Sequence, residues 1–330
     1  MATKSFKANH EYINVFGRHT RVEGMPAFDW SNSGLSFSFK GNFLSFSFAP
    51  FEKAETLYIL VKIGKLSQRF ALSTGKEKVV IENLRDTFHE VELIKITEGE
   101  QRIVVTDIEI GGTGPDILMP KKEDEEALKI EFIGDSLTAG YGNLAPATEK
   151  GFNTYQQDST RAYAYLCAKL LGAKGHYVCY SGKGIHNDCT GAKSYEIPTF
   201  FTHASRVTKE PWDFSTWTPD VVVINAGTND FNGGVTARDF SDTALAFLKQ
   251  VRETYPKALI IWCYGMTQYK AMEALEDTFS RLEDPNARFF KFSSIYEREG
   301  EVGGNGHPNA AAHIRFAKQI ARFIKQEYKG

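Results

Sequence analysis

Four short stretches in the second half of the chain carry residue types suited to acyl transfer. Gly134-Asp135-Ser136 ends one hydrophobic run, and Ser181-Gly182-Lys183-Gly184 ends another. Asn225-Ala226-Gly227-Thr228-Asn229-Asp230 ends a third, and "GGNGHPN", Gly303 to Asn309, precedes the last helical stretch. A serine hydroxyl is a weak nucleophile until a base takes its proton. Histidine takes it near neutral pH, its reference pKa being about 6.5. N–H donors waiting for the oxyanion stabilise the tetrahedral state more than the ground state, and losing one typically costs about 3 kcal/mol. The Ser136 amide, a glycine amide and the Asn229 side chain supply three such donors. Each residue also has a plain structural reading. Gly-Asp-Ser after a strand is by itself a turn with a helix cap. Asn229 alone is a loop-stabilising side chain. His307 before Pro308 is the entry to a helix. Asp135 and Asp230 read as structural groups that bond loop amides, and His186 as a residue of the cleft rim.

The elements around these stretches decide between the readings. "LKIEFIG" (Leu128–Gly134), "HYVCYSG" (His176–Gly182), "DVVVINAG" (Asp220–Gly227) and "ALIIWCYG" (Ala258–Gly265) are strands. The third is a continuous β-branched run of the kind found in central parallel strands. Helical spacing runs over Ser159–Lys174 and Asp239–Pro256, and an amphipathic pattern closes the chain. Strand alternating with helix predicts a three-layer α/β/α domain with a parallel sheet. In such sheets the functional loops lie at the carboxyl ends of the strands. Serine, glycine amide, asparagine and imidazole are therefore expected in one cleft.

The first third follows a different period. "LSFSF" (Leu35–Phe39) and "FLSFSF" (Phe43–Phe48) alternate apolar and polar residues about Lys40-Gly41-Asn42, which predicts a hairpin. Leu57–Ile63, Lys78–Asn83, His89–Thr97 and Arg102–Ile110 follow as short strands separated by turn residues. This predicts an all-β jelly-roll sandwich over residues 1–115, a break at Gly111–Asp116, a charged linker over 116–127 and the catalytic domain over 128–330.

With 39 basic and 41 acidic residues among 330, the chain has no charge excess that would suit a nucleic acid. No run of 18 apolar residues occurs and the first residues lack the apolar core of a secretory signal, so no membrane partner is expected and a cytoplasmic location is. A chain trimmed of its signal would read the same way. Cys167, Cys179, Cys189 and Cys263 lack metal-ligand spacing, so no metal is expected. Cys167 and Cys179 read as buried thiols, Cys189 as an exposed one. Nothing in the sequence fixes an oligomeric state.

Taken in order, "GDS", "SGKG", "GTND" and "GHP" resemble the four blocks of the SGNH (GDSL) hydrolases. With "NVFGRHTR" near the start and "WDFSTWTPDVVVINAGTND", nearly the whole chain is similar to carbohydrate esterase family 2. That resemblance implies a jelly-roll domain followed by an SGNH domain and removal of acetyl groups from plant polysaccharides and sugars, with no cofactor. It implies Ser136 as nucleophile, His307 as base, and Ser136, Gly184 and Asn229 as oxyanion donors, with Gly182 the fallback for Gly184. The wider superfamily usually has an aspartate three residues before the histidine; here that residue is Gly304. Family 2 members often use a Ser–His dyad, so a carbonyl of Gly304 or Asn305 is expected to orient the ring, with Glu299 or Glu301 the acidic alternatives. Tyr141, Trp212, Tyr264 and Met266 are candidate substrate-binding residues, because they follow the strands or lie in the long loop before residue 219. Core packing is the competing reading for the aromatics, and is the one expected of Trp217 and Trp262. The expected partner is an acetylated mannan, xylan or oligosaccharide. The alternatives are a lipid or acyl-thioester esterase with the same machinery, and a carbohydrate-binding protein with a silent site.

Overall fold

A computed structural model describes residues 3–50, 56–73, 78–98, 101–112, 117–122, 124–151 and 153–329. The last four residues of the expected break, 113–116, and residues 116 and 123 of the expected linker lie outside these. The chain divides into two compact units. One is Met1–Glu125 with Ala204–Glu210; the other is Glu126–His203 with Pro211–Gly330.

The first unit is an antiparallel β-sandwich. Its strands are β1 (Thr3–Lys7), β2 (Asn14–Phe16), β3 (Thr20–Val22), β4 (Met25–Phe28), β5 (Gly34–Gly41), β6 (Phe43–Phe48), β7 (Leu57–Ile63), β8 (Leu66–Leu72), β9 (Lys78–Ile81), β10 (Thr87–Lys95), β11 (Ile103–Gly111) and β12 (Leu118–Met119). One sheet runs β3-β4-β11-β6-β9, with β1 on β11. The other runs β12-β5-β10-β7-β8, with β2 on β5. The predicted hairpin between Leu35–Phe39 and Phe43–Phe48 does not form. β5 pairs with β2, β10 and β12, whereas β6 pairs with β9 and β11, so the two strands lie in opposite sheets. Both apolar rows still point into one core, where the Phe37 and Phe46 rings meet at 6.1 Å. Alternation reports which face is buried and leaves the neighbouring strand open. The chain turns the corner at Gly41-Asn42, where the Asn42 N–H donates to the Gly111 carbonyl at 2.8 Å. The segment Ala204–Glu210 is tied into this unit although it comes from the second half of the sequence. Asp29 Oδ2 accepts from Ser205 Oγ at 2.7 Å and from the Val207 N–H at 2.9 Å, and Trp30 Nε1 donates to the Ala204 carbonyl.

The second unit is a five-stranded parallel sheet, β13 (Lys129–Gly134), β14 (Lys174–Cys179), β15 (Val221–Asn225), β16 (Leu259–Tyr264) and β17 (Ala287–Lys291), in the order β14-β13-β15-β16-β17. Its helices are α1 (Ser136–Ala139), α2 (Tyr163–Leu171), α3 (Ile197–Phe200), α4 (Thr228–Asn232), α5 (Ala237–Thr254), α6 (Met272–Arg281) and α7 (Ala310–Glu327). The helical run expected from Ser159 to Lys174 is shorter. A one-turn 3₁₀ segment over Ser159–Arg161, capped by Asp158, precedes α2, and Lys174 already belongs to β14. Strand order reverses at β13, which places the switch point of the sheet beside its first strand. The register sets Gly134 level with Cys179 on one side and with Asn225 on the other. The three following loops therefore leave the sheet at one height.

Fully buried Glu131 interrupts the apolar run of β13. Tyr255, just past α5, donates its hydroxyl to Glu131 Oε2 at 2.8 Å. Removing that donor with Tyr255→Phe takes a hydrogen bond from a buried carboxylate, so urea unfolding should show a loss of about 1–3 kcal/mol. Unchanged unfolding would mean that Glu131 needs no help from this hydroxyl.

Candidate active site

The turn that carries Ser136 is built by Asp135. Its Oδ1 accepts the Leu137 N–H at 2.9 Å and caps the four-residue helix α1, which Gly140 ends. Ser136 is the first residue of that helix, with its hydroxyl at the sheet edge. The loop that follows is pinned at Asn143, whose side chain exchanges two bonds with the backbone of Asp158 and whose carbonyl accepts the Ala310 N–H at the start of α7. Asn143 is therefore a brace of this loop.

His307 Nε2 lies 2.9 Å from Ser136 Oγ, although 171 residues separate the two. Its Nδ1 lies 3.1 Å from the Asn305 carbonyl oxygen. The backbone makes this possible: Asn305 has φ 52° and Gly306 φ 74°, so the chain doubles back and aims a carbonyl at the ring. A neutral acceptor at Nδ1 leaves Nε2 as the basic nitrogen facing the serine. Neither glutamate replaces the missing acid. Glu301 is bound by the Arg315 guanidinium, and Glu299 is exposed.

The space for an acid is closed as well. Gly304 donates its N–H to the Gly142 carbonyl at 3.1 Å. A Cβ at Gly304 would lie 2.6 Å from the Ala145 Cβ, and one at Gly142 would lie 2.9 Å from the Gly304 oxygen. The loop after the serine and the loop before the histidine thus meet backbone to backbone. Tyr141 packs its ring on His307 with centroids 4.5 Å apart. Tyr296 donates its hydroxyl to the Gly306 carbonyl.

Asn229, in α4, joins the other two loops. Its Nδ2 donates to Asp135 Oδ2 at 3.0 Å and to the Lys183 carbonyl at 2.9 Å. One carboxamide therefore spans the nucleophile turn and the residue before Gly184. Among the described residues no acceptor meets the backbone N–H of Ser136 or of Gly184. These two donors, the Asn229 amide, the hydroxyl and the imidazole form an arrangement able to take up an acyl group and hold its oxyanion.

Three candidate contacts are not brought to this site. Trp212 packs edge-on against His176 of β14, which is itself stacked on Trp217 at 3.6 Å. Tyr264 and Met266 are each 1% exposed. The Tyr264 hydroxyl accepts the Ala271 N–H, and its pKa is pushed up to about 12 by burial. Met266 Sδ accepts from Asn225 Nδ2. Both support the loops from below and present no face to a ligand. Trp262 is fully buried, as a core residue should be. Cys189 is exposed, the other cysteines are buried, and none forms a disulfide bond. No group of three or more His, Cys, Asp or Glu side chains among the described residues could hold a metal ion, and no described helix is long and apolar enough to cross a membrane.

Sequence reasoning missed Gly142, Ala145 and His313. A glycine three residues before a histidine signals close approach only once its neighbour is known. His313 on α7 accepts the Tyr163 N–H at its Nδ1 and so ties α7 to the start of α2; burial pushes its pKa down to about 3.

Burial also lowers the pKa of His307, against the raising effect of the Asn305 and Gly304 backbone. The imidazole is then neutral at pH 7 and protonates only as pH falls below the ordinary value of about 6.5. NMR titration of the ring should give a midpoint below that value; a midpoint above it would reveal an acidic partner. Restoring an acid with Gly304→Asp should not help. Its Cβ collides with Ala145, and the shifted histidine should lower Ser136 reactivity toward a fluorophosphonate by about a hundredfold. Faster labelling would show that the loop has room.

A model of the GDSL-like lipase/acylhydrolase family matches residues 132–314, and a model of the carbohydrate esterase 2 N-terminal domain matches residues 15–120. The chain is 28% identical over 318 residues to the cellulase/esterase CelE of Acetivibrio thermocellus, covering 92% of this chain and 38% of that protein. It is 26% identical over 250 residues to an acetylxylan esterase/glucomannan deacetylase of Cellvibrio japonicus, covering 72% of this chain and 67% of the relative. The chain thus spans well under half the length of the first relative. In structure it matches a family two carbohydrate esterase from Clostridium thermocellum in complex with cellohexaose, with a TM-score of 0.83 at 25% identity over 95% of this chain and 98% of that one. A family two carbohydrate esterase from Cellvibrio japonicus matches in fold with a TM-score of 0.87 at 20% identity, over 99% and 98%. The hydrolase model covers more than half of the sequence and the N-terminal model most of the remainder, so the chain belongs to the GDSL-like lipase/acylhydrolase family and, within it, to the family 2 carbohydrate esterases.

Proposed function

We propose that this chain is a carbohydrate O-acetyl esterase that removes acetyl groups from acetylated mannan, xylan or their oligosaccharides. The observation that carries the reading is the 2.9 Å contact between Ser136 Oγ and His307 Nε2. The names of the sequence relatives, among them an acetylxylan esterase/glucomannan deacetylase, support the substrate class.

In this reading the Ser136 oxygen attacks the acetyl carbonyl carbon as His307 Nε2 takes the hydroxyl proton. The carbonyl π-electrons move to oxygen, and the N–H groups of Ser136 and Gly184 with the Asn229 amide receive the charge. Asn229 does so by sharing a hydrogen now given to Asp135 or to the Lys183 carbonyl. The C–O bond to the sugar then breaks, and the imidazolium returns its proton to the leaving sugar oxygen. Water deprotonated by His307 attacks the acyl-enzyme in the second half, releasing acetate and restoring the serine. The Asn305 carbonyl holds the ring throughout. A neutral carbonyl stabilises imidazolium less than a carboxylate would, so more of the barrier reduction falls to the oxyanion donors.

Purified protein should release acetate from acetylated xylo- or manno-oligosaccharides. Ser136→Ala should lower that rate by about four orders of magnitude or more, and Asn229→Ala by about 10²–10³-fold. Acetate release that survives Ser136→Ala would reject the nucleophile. With p-nitrophenyl esters, acetyl should outpace octanoyl; the opposite preference would favour the lipid or thioester alternative.

A further inference from the structure

Asp230 takes no step in this chemistry, yet it stands where the two oxyanion-donor loops meet. Its Oδ1 accepts the N–H of Ile185 at 2.9 Å, of His186 at 2.7 Å and of Asn187 at 3.4 Å. Its backbone carbonyl accepts Asn187 Nδ2 at 3.2 Å. Successive amides converging on one oxygen form a concave backbone turn suited to an anion; here the anion is the protein's own side chain. The carboxylate also fills the place of a side chain at Gly184. A Cβ there would lie 2.3 Å from Asp230 Oδ2 and 2.4 Å from its Cγ. The Gly184 amide, one residue before the clamped turn, keeps its N–H for a ligand.

We propose that Asp230 is a positioning residue of the oxyanion hole: its carboxylate clamps the 185–187 amides and so aims the Gly184 N–H, while its place beside Asn229 in α4 gives both donors a common anchor. This rests on the assignment of Gly184 and Asn229 as oxyanion donors made above. Bonds from N–H groups to an ionised carboxylate are roughly twice as strong as those to a neutral acceptor, so the clamp depends on charge. Burial works against that charge and raises the Asp230 pKa to about 6, although the bonds from Ile185, His186 and Asn187 pull the other way. Oδ2 is buried and has no hydrogen-bond partner among the described residues. The groups facing this carboxylate are Tyr264 from the end of β16, Asp135 through the shared Asn229, and His186, whose ring turns instead to Thr243 of α5. The Lys183 ammonium is taken by Asp188. No cation among the described residues therefore holds Asp230 ionised, and acid should loosen the clamp.

The test uses the full chain. In the wild type, log kcat for acetate release should fall with a slope steeper than one while pH drops through the midpoints of both His307 and Asp230, and return to one once Asp230 is neutral. Asp230→Asn, which fixes the neutral form, should lower kcat at pH 7.5 by about 10–100-fold with KM within twofold, and leave a slope of one. The backbone N–H resonances of Ile185 and His186 in the unmutated protein should move with a midpoint near pH 6, a readout that needs no variant to fold. Unshifted resonances between pH 5 and 7 would overturn the proposal. So would an Asp230→Asn enzyme with wild-type kcat and an unchanged slope. Turnover that persists in Ser136→Ala would instead remove the parent reading, in an experiment that leaves Asp230 untouched.

Discussion

The site depends on one contact between two pieces of backbone. Gly142, six residues after the serine, and Gly304, three before the histidine, approach so closely that neither position has room for a β-carbon. Their hydrogen bond, with those from Asn305 to the Glu149 carbonyl and from Ala310 to Asn143, sews the 140–149 loop to the approach of α7. Everything else in the dyad follows from that seam. It sets the imaginary line from Ser136 Oγ to His307 Nε2, and the left-handed turn at Asn305 supplies the carbonyl at the far nitrogen. A carboxylate three residues before the histidine is sterically incompatible with the seam. The missing acid is thus a consequence of packing, and the carbonyl takes over the orienting role.

The acidic side chains near the site serve another end. Asp135 Oδ1 and Asp230 Oδ1 accept loop amides, and Asn229 links Asp135 Oδ2 to the Lys183 carbonyl. Buried carboxylates in such surroundings are kept by the hydrogen bonds they accept. The His307 imidazole faces no negative charge among the described residues, and its pKa is lowered by burial. Dividing the work this way leaves a neutral imidazole at physiological pH on one side and braced N–H groups on the other.

The parallel sheet and the three loops at its carboxyl edge were legible because their signals are local and independent. β-Branched runs mark central strands, and polar residues at their ends can only lie at one sheet edge. Ser136, Asn229 and His307 followed from that geometry together with the family resemblance. The loops' internal bracing was not legible, since the seam joins glycines more than 160 positions apart and a glycine gives no hint of what approaches it. Tyr264 and Met266 were misplaced because a residue at or just past a strand's end points up to the ligand or down to the core, and sequence does not distinguish the two; Trp212 was misplaced because a loop aromatic can pack on the scaffold, here on His176, as readily as line a cleft. In the sandwich the same alternation that found β5 and β6 suggested the wrong pairing, because both faces of a shared core look alike from either sheet. The return of Ala204–Glu210 to the first unit rests on Asp29 and Trp30, far earlier in the sequence.

The central claim is that an imidazole held by a backbone carbonyl makes Ser136 a nucleophile. Its most direct test is acid quenching of the protein during turnover of an acetylated xylo-oligosaccharide, followed by peptide mass spectrometry. The account predicts one acetyl group on the peptide containing Ser136, formed within the first turnover and absent from the His307→Ala protein. Acetate released while that peptide stays unmodified, or acetyl carried on another residue, would contradict it.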